Sequence, residues 1–216
     1  MKSTPFKTIA VLAANGRSGR LFVEAALKAG YTVKAGVHGQ HDFLPNEQLI
    51  VIPVDGTKQA DVDALVQGSD VVVSLIGHGP KSPATVQTDT IRNTVSAMQT
   101  HGVRRLISLT GTGVRIPGDK PSLIDRFANL AISIIDPERI KDGIAHVKLL
   151  QASDVDWTVV RVLKLGNGTT NGTVTFSTMG PAELLTPRTR VAYAIVQILN
   201  DDLFIKQAPI ITGVKQ

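Results

Sequence analysis

Ile9-Ala10-Val11-Leu12-Ala13-Ala14-Asn15-Gly16-Arg17-Ser18-Gly19 is the stretch on which the reading of the whole chain turns. An almost unbroken apolar run from Thr8 to Ala13, closed by Asn15-Gly16, is the pattern of a strand buried on both faces. Beyond Gly19 the residues Leu21, Ala25 and Ala29 recur every four positions with Phe22 and Ala26 beside them, so a helix follows, and Gly30 stands where a left-handed stop is wanted. The turn between them follows the pattern G-x-x-G-x-x-G with Ala13 in place of the first Gly. Such a turn aims backbone N–H groups and a helix N-terminus at a pyrophosphate. Gly16 permits close approach of that group, and Gly19 permits close contact of helix with strand. An ordinary tight strand-to-helix turn is the plainer alternative; position in a βαβ unit favours the phosphate cradle.

Working outward, β-prone runs return at Thr32–Val37, Leu49–Val54, Val71–Ile76, Arg105–Thr110, Trp157–Val162 and Pro209–Thr212. Helical patterns separate them. One is expected over Ser82–His101, with Ser82 as cap, Pro83 in the first turn and Gly102 as the stop; others lie near Pro137–Ser153 and Pro187–Leu199. The alternation predicts an α/β protein: a Rossmann-like, doubly wound parallel sheet with helices on both faces. No internal repeat is visible. Residues 111–135 and 166–180 are the least regular stretches, and both follow strand C-termini, where α/β sheets place ligands.

The 216 residues suit one domain, 1–216, with small C-terminal elements on the substrate side. With 43% hydrophobic and 19% charged residues the chain has too much apolar content for a disordered state. No run reaches the ~18 apolar residues of a membrane span. The absence of cysteine excludes disulfides, thiolate metal sites and cysteine nucleophiles. Five histidines without an H-x-x-x-H pair offer no metal-ligand spacing, so no metal is expected. Met1-Lys2-Ser3-Thr4-Pro5-Phe6-Lys7 does not read as a secretory signal, which makes the cytoplasm the expected location. The net charge of +5 is spread without an aromatic-interleaved stripe, so a small phosphorylated ligand is expected rather than nucleic acid.

A dinucleotide site that prefers NAD carries an acidic residue ~20 positions beyond the turn, to bind the ribose 2′-OH. Here His38 stands in that place. Together with Arg17 it suits a 2′-phosphate, and NADP(H) is expected over NAD(H). His38 and Arg17 also fit the description of solvated surface residues.

Several motifs resemble the atypical short-chain dehydrogenase/reductase superfamily, in particular the NAD(P)H-binding group that includes biliverdin reductase B/flavin reductase-like and NmrA-like proteins. The opening stretch is similar to V-x-G-A-T-G-x-x-G, and Val54-Asp55-Gly56-Thr57 to G-D-V-x-D. Gly68-Ser69-Asp70-Val71-Val72-Val73-Ser74 is similar to G-x-D-x-V-I-S, and Gly102-Val103-Arg104-Arg105-Leu106-Ile107 to G-V-x-R-x-V. Leu150–Arg161 is similar to L-x-x-S-G-L-D-W-T-I-V-R. The resemblance implies a cofactor lying across the strand C-termini. Gly16, Arg17, Ser18 and Gly19 would meet the pyrophosphate and Asp55 and Gly56 the adenine side. Leu75, Ile76 and Gly77 would line the dinucleotide, and Leu109, Thr110, Gly111, Val162 and Leu163 would flank the nicotinamide. Departures are Ala13 for Gly, His38 for a frequent Arg, Gly111 with Thr112 for a Ser, and Lys164 for an active-site His.

Most short-chain dehydrogenases protonate a carbonyl with the Tyr of a Tyr-x-x-x-Lys helix. The two tyrosines here cannot do so: Tyr31 adjoins the second strand, and Tyr193 is followed at the fourth position by Gln197. Hydride transfer to a flavin (FMN or FAD) or quinone asks chiefly for stacking and alignment, because the charge enters an extended ring. Thr110 and Thr112 are the candidate hydroxyls near nicotinamide or acceptor, or polar residues closing a strand. Lys164 could attract an acceptor phosphate, or be merely solvated. Asp142 and His146 share a helical face, but without a G-x-S-x-G elbow a serine hydrolase is a poor reading. Trp157 and Arg161 suit packing and a structural ion pair. The leading expectation is an NAD(P)H-dependent reductase of a flavin, quinone or similar conjugated acceptor, as monomer or homodimer. The alternative is a non-catalytic NADP-binding sensor of NmrA type. A sugar-nucleotide epimerase would need a larger C-terminal substrate domain.

Overall fold

The computed structural model describes residues 6–79, 81–170 and 172–215. The N-terminal segment Met1–Pro5 read above lies outside them. In chain order the elements are β1 (Thr8–Leu12), α1 (Arg17–Lys28), β2 (Thr32–Val37), β3 (Leu49–Pro53), α2 (Gln59–Val66), β4 (Val71–Ser74), α3 (Val86–His101) and β5 (Arg105–Gly111). There follow α4 (Leu123–Ile135), α5 (Pro137–Gln151), β6 (Asp156–Val162), β7 (Leu165–Gly166), β8 (Thr173–Ser177), β9 (Thr186–Pro187), α6 (Arg188–Asp201) and β10 (Ile210–Lys215).

Eight strands form one sheet in the order β3-β2-β1-β4-β5-β6-β10-β8, and β7 pairs with β9 apart from it. All neighbours in the large sheet run parallel except β8, which lies antiparallel on β10 at the edge. The direction in which successive strands are added to the sheet reverses between β1 and β4, and that switch point opens the crevice in which such sheets bind ligands.

Alternation along the buried strands divides the core. Ile9 and Val11 face α1 and α6, where Phe22, Ala26, Ala192 and Ile195 pack on them. Ala10 and Leu12 face the opposite layer of α2, α3 and α5, with Leu65, Ile91, Met98 and Leu150. The doubly wound arrangement thus follows from strands apolar on both faces.

The sequence pattern is corrected in three places. The helix expected from Ser82 begins at Val86: the Ser82 hydroxyl is spent on a turn, 2.9 Å from both the N and the O of Gly79. Residues 111–135 are not irregular throughout. They contain α4, whose N-cap Ser122 accepts from Asp125 N at 3.1 Å. Residues 166–180 contain β8, an edge strand rich in Thr. The expected ion pair of Arg161 is present: the guanidinium is fully buried and grips Asp119 at 2.6 and 2.9 Å, tying β6 to the loop after β5.

Candidate functional site

The turn after β1 is built by close approach. A Cβ placed on Gly19 would lie 2.1 Å from the Ala13 carbonyl oxygen and 2.7 Å from that of Ala14, so no side chain fits between α1 and the end of β1. Ala13, standing for the first Gly of the pattern, takes a left-handed φ of 58°, a conformation glycine accepts at lower cost. Asn15 fastens the turn to the end of β2 by donating to the carbonyls of His38 and Gln40, each at 2.9 Å. Arg20 donates back to the Asn15 carbonyl and pairs with Asp42.

Helix α1 starts at Arg17 after Gly16, with no side-chain cap and no acidic residue in its first turn. Its leading N–H groups and the positive end of its dipole are therefore left for an anion. Arg17 is exposed at this start. A second guanidinium comes to the same place from the far end of the chain. Arg188, first residue of α6, is held by the Gly166 carbonyl and the Asn167 side chain at 3.0 and 3.1 Å. Burial, and then the neighbouring charge of Arg17, push its pKa down. Two cations kept close without a shared carboxylate are an arrangement that a phosphate relieves. The sequence pattern did not single out Arg188; its one local signal is the Pro187-Arg188 start of a helix.

At the end of β2, His38 is exposed. Asp55 lies near it, its carboxylate held below the usual range first by the Thr57 hydroxyl at 2.7 Å and also by the backbone N–H of Thr57 and the charge of His38. Gly56 backs onto α3, where its absent Cβ leaves room for the Thr90 side chain. Leu75 closes the crevice floor by donating to the Leu12 carbonyl at 3.2 Å, with Ile76 and Gly77 following it outward.

The ends of β5 and β6 bring Leu109, Val162 and Leu163 together as nearly buried apolar groups. Thr110 points to the α5 layer, in a niche that Gly143 leaves open: a Cβ there would be 3.0 Å from the Thr110 hydroxyl. Thr112 is fully buried. Its hydroxyl donates to Asp125 at 2.7 Å and accepts from Asn129 at 3.1 Å, so it anchors α4 and has no group left for a ligand. Lys164 is exposed beyond β6.

One group near this mouth escaped the sequence pattern. His78, in the loop leaving β4, meets Asp142 of α5 at 2.9 Å. Asp142 is almost wholly buried and also accepts the N–H groups of Gln87 and Thr88 at 2.8 and 2.9 Å, supplying the cap that α3 lacks from its own residues. Beside it the Gln87 side-chain oxygen, Oε1, is buried without a partner. Deeper in the same layer His146 and Ser108 share a hydrogen bond of 3.0 Å. Burial pushes the His146 pKa down to about 4, against a smaller opposing effect of Asp142, so the imidazole is neutral. Ser108, His146 and Asp142 do not make a nucleophilic triad. His146 Nδ1 has no partner, Ser108 is buried, and Asp142 is engaged by α3. Neither tyrosine reaches the mouth: Tyr31 is buried with its hydroxyl on Asn200 at 2.7 Å, and Tyr193 lies on α6 beside Leu21 and Lys28. A cleft of about 430 Å³ lies at the opposite end of the strands, by the starts of β4, β5 and β6, lined by charged residues such as Asp70, Arg104 and Asp156. It is far from the Gly-rich turn, and Arg104 and Asp156 pair across it.

Strand order, switch point and glycine turn define a dinucleotide-binding Rossmann-like protein. The model of the NAD(P)H-binding family matches residues 13–202, and the chain belongs to that family. Solved structures share the fold at low identity. A short-chain dehydrogenase/reductase from Veillonella parvula DSM 2008 in complex with NADP is 16% identical, with a TM-score of 0.80 over 96% of this chain and 95% of that one. A candidate epimerase from Bacteroides thetaiotaomicron is 19% identical, with a TM-score of 0.80 over 98% and 99%. A candidate NADH-flavin reductase from Streptococcus pneumoniae TIGR4 is 20% identical, with a TM-score of 0.74 over 96% and 99%. Among the described residues no helix is long and apolar enough to cross a membrane.

Proposed function

We propose that this protein is an NADPH-dependent reductase that reduces a flavin, quinone or similar conjugated acceptor, with residues 1–216 acting as one dinucleotide-binding unit. The segments around β7–β9 then form the acceptor side. The observation that carries the reading is the position of the two tyrosines: both stand away from the strand C-termini, so a carbonyl acceptor would find no tyrosine acid there. Acceptors that spread charge over a ring system do not need one.

The residues present fit the dinucleotide. The cradle that a Gly19 Cβ would fill, the uncapped start of α1 and the guanidiniums of Arg17 and Arg188, near enough to repel, suit the pyrophosphate. His38 at the end of β2, with Asp42 turned to Arg20, suits a 2′-phosphate better than a bare ribose. Bound NADPH supplies a hydride. The chain's own contribution is alignment: Leu75, Leu109, Val162 and Leu163 offer apolar surface around the reacting rings, and Thr110 offers a hydroxyl at the same strand ends, on the α5 side of the sheet. His78, steadied by Asp142, stands at the same mouth, and solvent protonates the reduced acceptor.

The test is loss of reduced-nicotinamide absorbance with purified protein, NADPH or NADH, and FMN or a simple quinone. The reading expects consumption that needs the acceptor and is faster with NADPH. Tight binding without turnover on any acceptor would instead make the protein a dinucleotide sensor.

A further inference from the structure

Helix α4 is built inside out. Its polar residues Asp125 and Asn129 turn inward, where Asp125 is almost wholly buried among Thr112, Arg115 and Asn129 at 2.6–2.7 Å. Its large apolar residues turn outward. Leu123, Ile124, Phe127, Leu130, Ile134 and Ile135 are between 57% and 82% exposed. Four of them, Leu123, Phe127, Leu130 and Ile134, follow the i, i+4, i+7, i+11 spacing of a single stripe, with Ile124 and Ile135 along its flank. The buried network fixes the helix with this stripe to solvent, so the exposure belongs to the fold.

We propose that this face pairs with the same face of a second copy of the chain, two α4 helices packing antiparallel about a twofold axis. Size favours a second copy. At on the order of 150–200 Å² for each large side chain fully exposed, the six present roughly 600–800 Å² of surface. That is at or above the ~300–600 Å² patch of a typical monomer and approaches the ~800 Å² each partner gives to a standard interface. Shape favours it too. A straight stripe on a helix ~20 Å long is self-complementary when reversed, and the small, exposed Ala131 near its middle admits the partner's Phe127 or Leu130. Charge disfavours an anionic lipid surface, which asks for a cationic rim. Of the cations near α4, Arg139 pairs with Asp136 at 3.1 Å, Lys141 with Glu138 at 2.8 Å and Arg115 with Asp125 at 2.7 Å; the exposed Lys120 and Arg126 stand outside these pairs and are too few for such a rim. This inference stands whether or not the protein is a reductase.

Sedimentation of the full chain at micromolar concentration tests it. The expected species is a dimer, weakened at least about thirtyfold by Phe127→Glu with Ile134→Glu, with unchanged far-ultraviolet circular dichroism and nucleotide binding. Both side chains are exposed, so the fold does not depend on them. Because the chain has no cysteine, Ala131→Cys gives an independent readout: copper-phenanthroline should link two copies through it, but not through Gln99→Cys on the α3 surface. A monomeric wild type would overturn the proposal, as would a dimer indifferent to the α4 substitutions. So would a monomer that instead co-sediments with phosphatidylglycerol vesicles through this helix.

Discussion

Replacing Gly19 by Ala adds one methyl group where there is no room for it. The new Cβ would sit 2.1 Å from the Ala13 oxygen and 2.7 Å from the Ala14 oxygen, both backbone atoms that cannot rotate aside. Ordinary contact begins at ~3.5 Å, so the start of α1 must retreat from β1 by about 1 Å or more. That movement loosens Phe22, Val23 and Ala26, which pack on the sheet, and overpacking of this kind costs about 1–3 kcal/mol of stability. It also carries the leading amides of α1 off the pyrophosphate. Charge-assisted hydrogen bonds are each worth about 1.5–3 kcal/mol, so losing the alignment of two weakens binding by ~3 kcal/mol or more, about a hundredfold. Urea denaturation gives the first quantity and quenching of protein fluorescence by NADPH the second. A Gly19→Ala protein that binds NADPH within threefold of wild type, with unaltered stability, would refute this reasoning.

Other expectations follow from single groups. His146, with an ordinary value of 6.5 lowered to about 4 in the fold, makes the unfolded chain bind more protons below pH ~6.5. Its contribution is complete above that pH and is lost as pH falls towards 4, about 3 kcal/mol in all. Urea midpoints at pH 7 and 4.5 should show this slope, and His146→Gln should flatten it. Asp119→Ala strands the buried Arg161 guanidinium and should cost about 3–5 kcal/mol by the same denaturation assay. The Asp119 carboxyl, which burial would raise, is held below its usual range by Arg161, so this pair stabilises the protein above pH ~4 and its contribution fades as pH falls below that. His38→Asp should move nucleotide preference from NADPH towards NADH, read as the ratio of the two affinities.

The layers of the fold were legible because Ile9–Leu12, Val71–Val73 and the helix stripes obey periods that burial enforces. Helix α4 was not, because its apolar residues surround a polar inner face and contradict the rule that apolar side chains point to the core. Strand β8 was hidden by Thr and Gly at a sheet edge, where burial imposes no strong pattern. At the candidate site, the turn from Ala13 to Gly19 could be read because its whole geometry is local. Arg188 and the His78–Asp142 pair could not: they meet their neighbours through the tertiary fold, His78 and Asp142 across 64 residues. Thr112 read as a mouth hydroxyl because it follows a strand end, but only the fold shows that Asp125 and Asn129 already use it.

Calorimetric titration of the purified chain with NADPH and, separately, NADH tests the central claim most directly, that the turn from Gly16 to Gly19 with Arg17, His38 and Arg188 holds a dinucleotide by its phosphates. The account predicts one site per chain and at least about tenfold tighter binding of NADPH, a difference of about 1.4 kcal/mol, lost in Arg17→Ala with His38→Ala. Equal affinities unaffected by those substitutions, or no binding of either nucleotide, would contradict it.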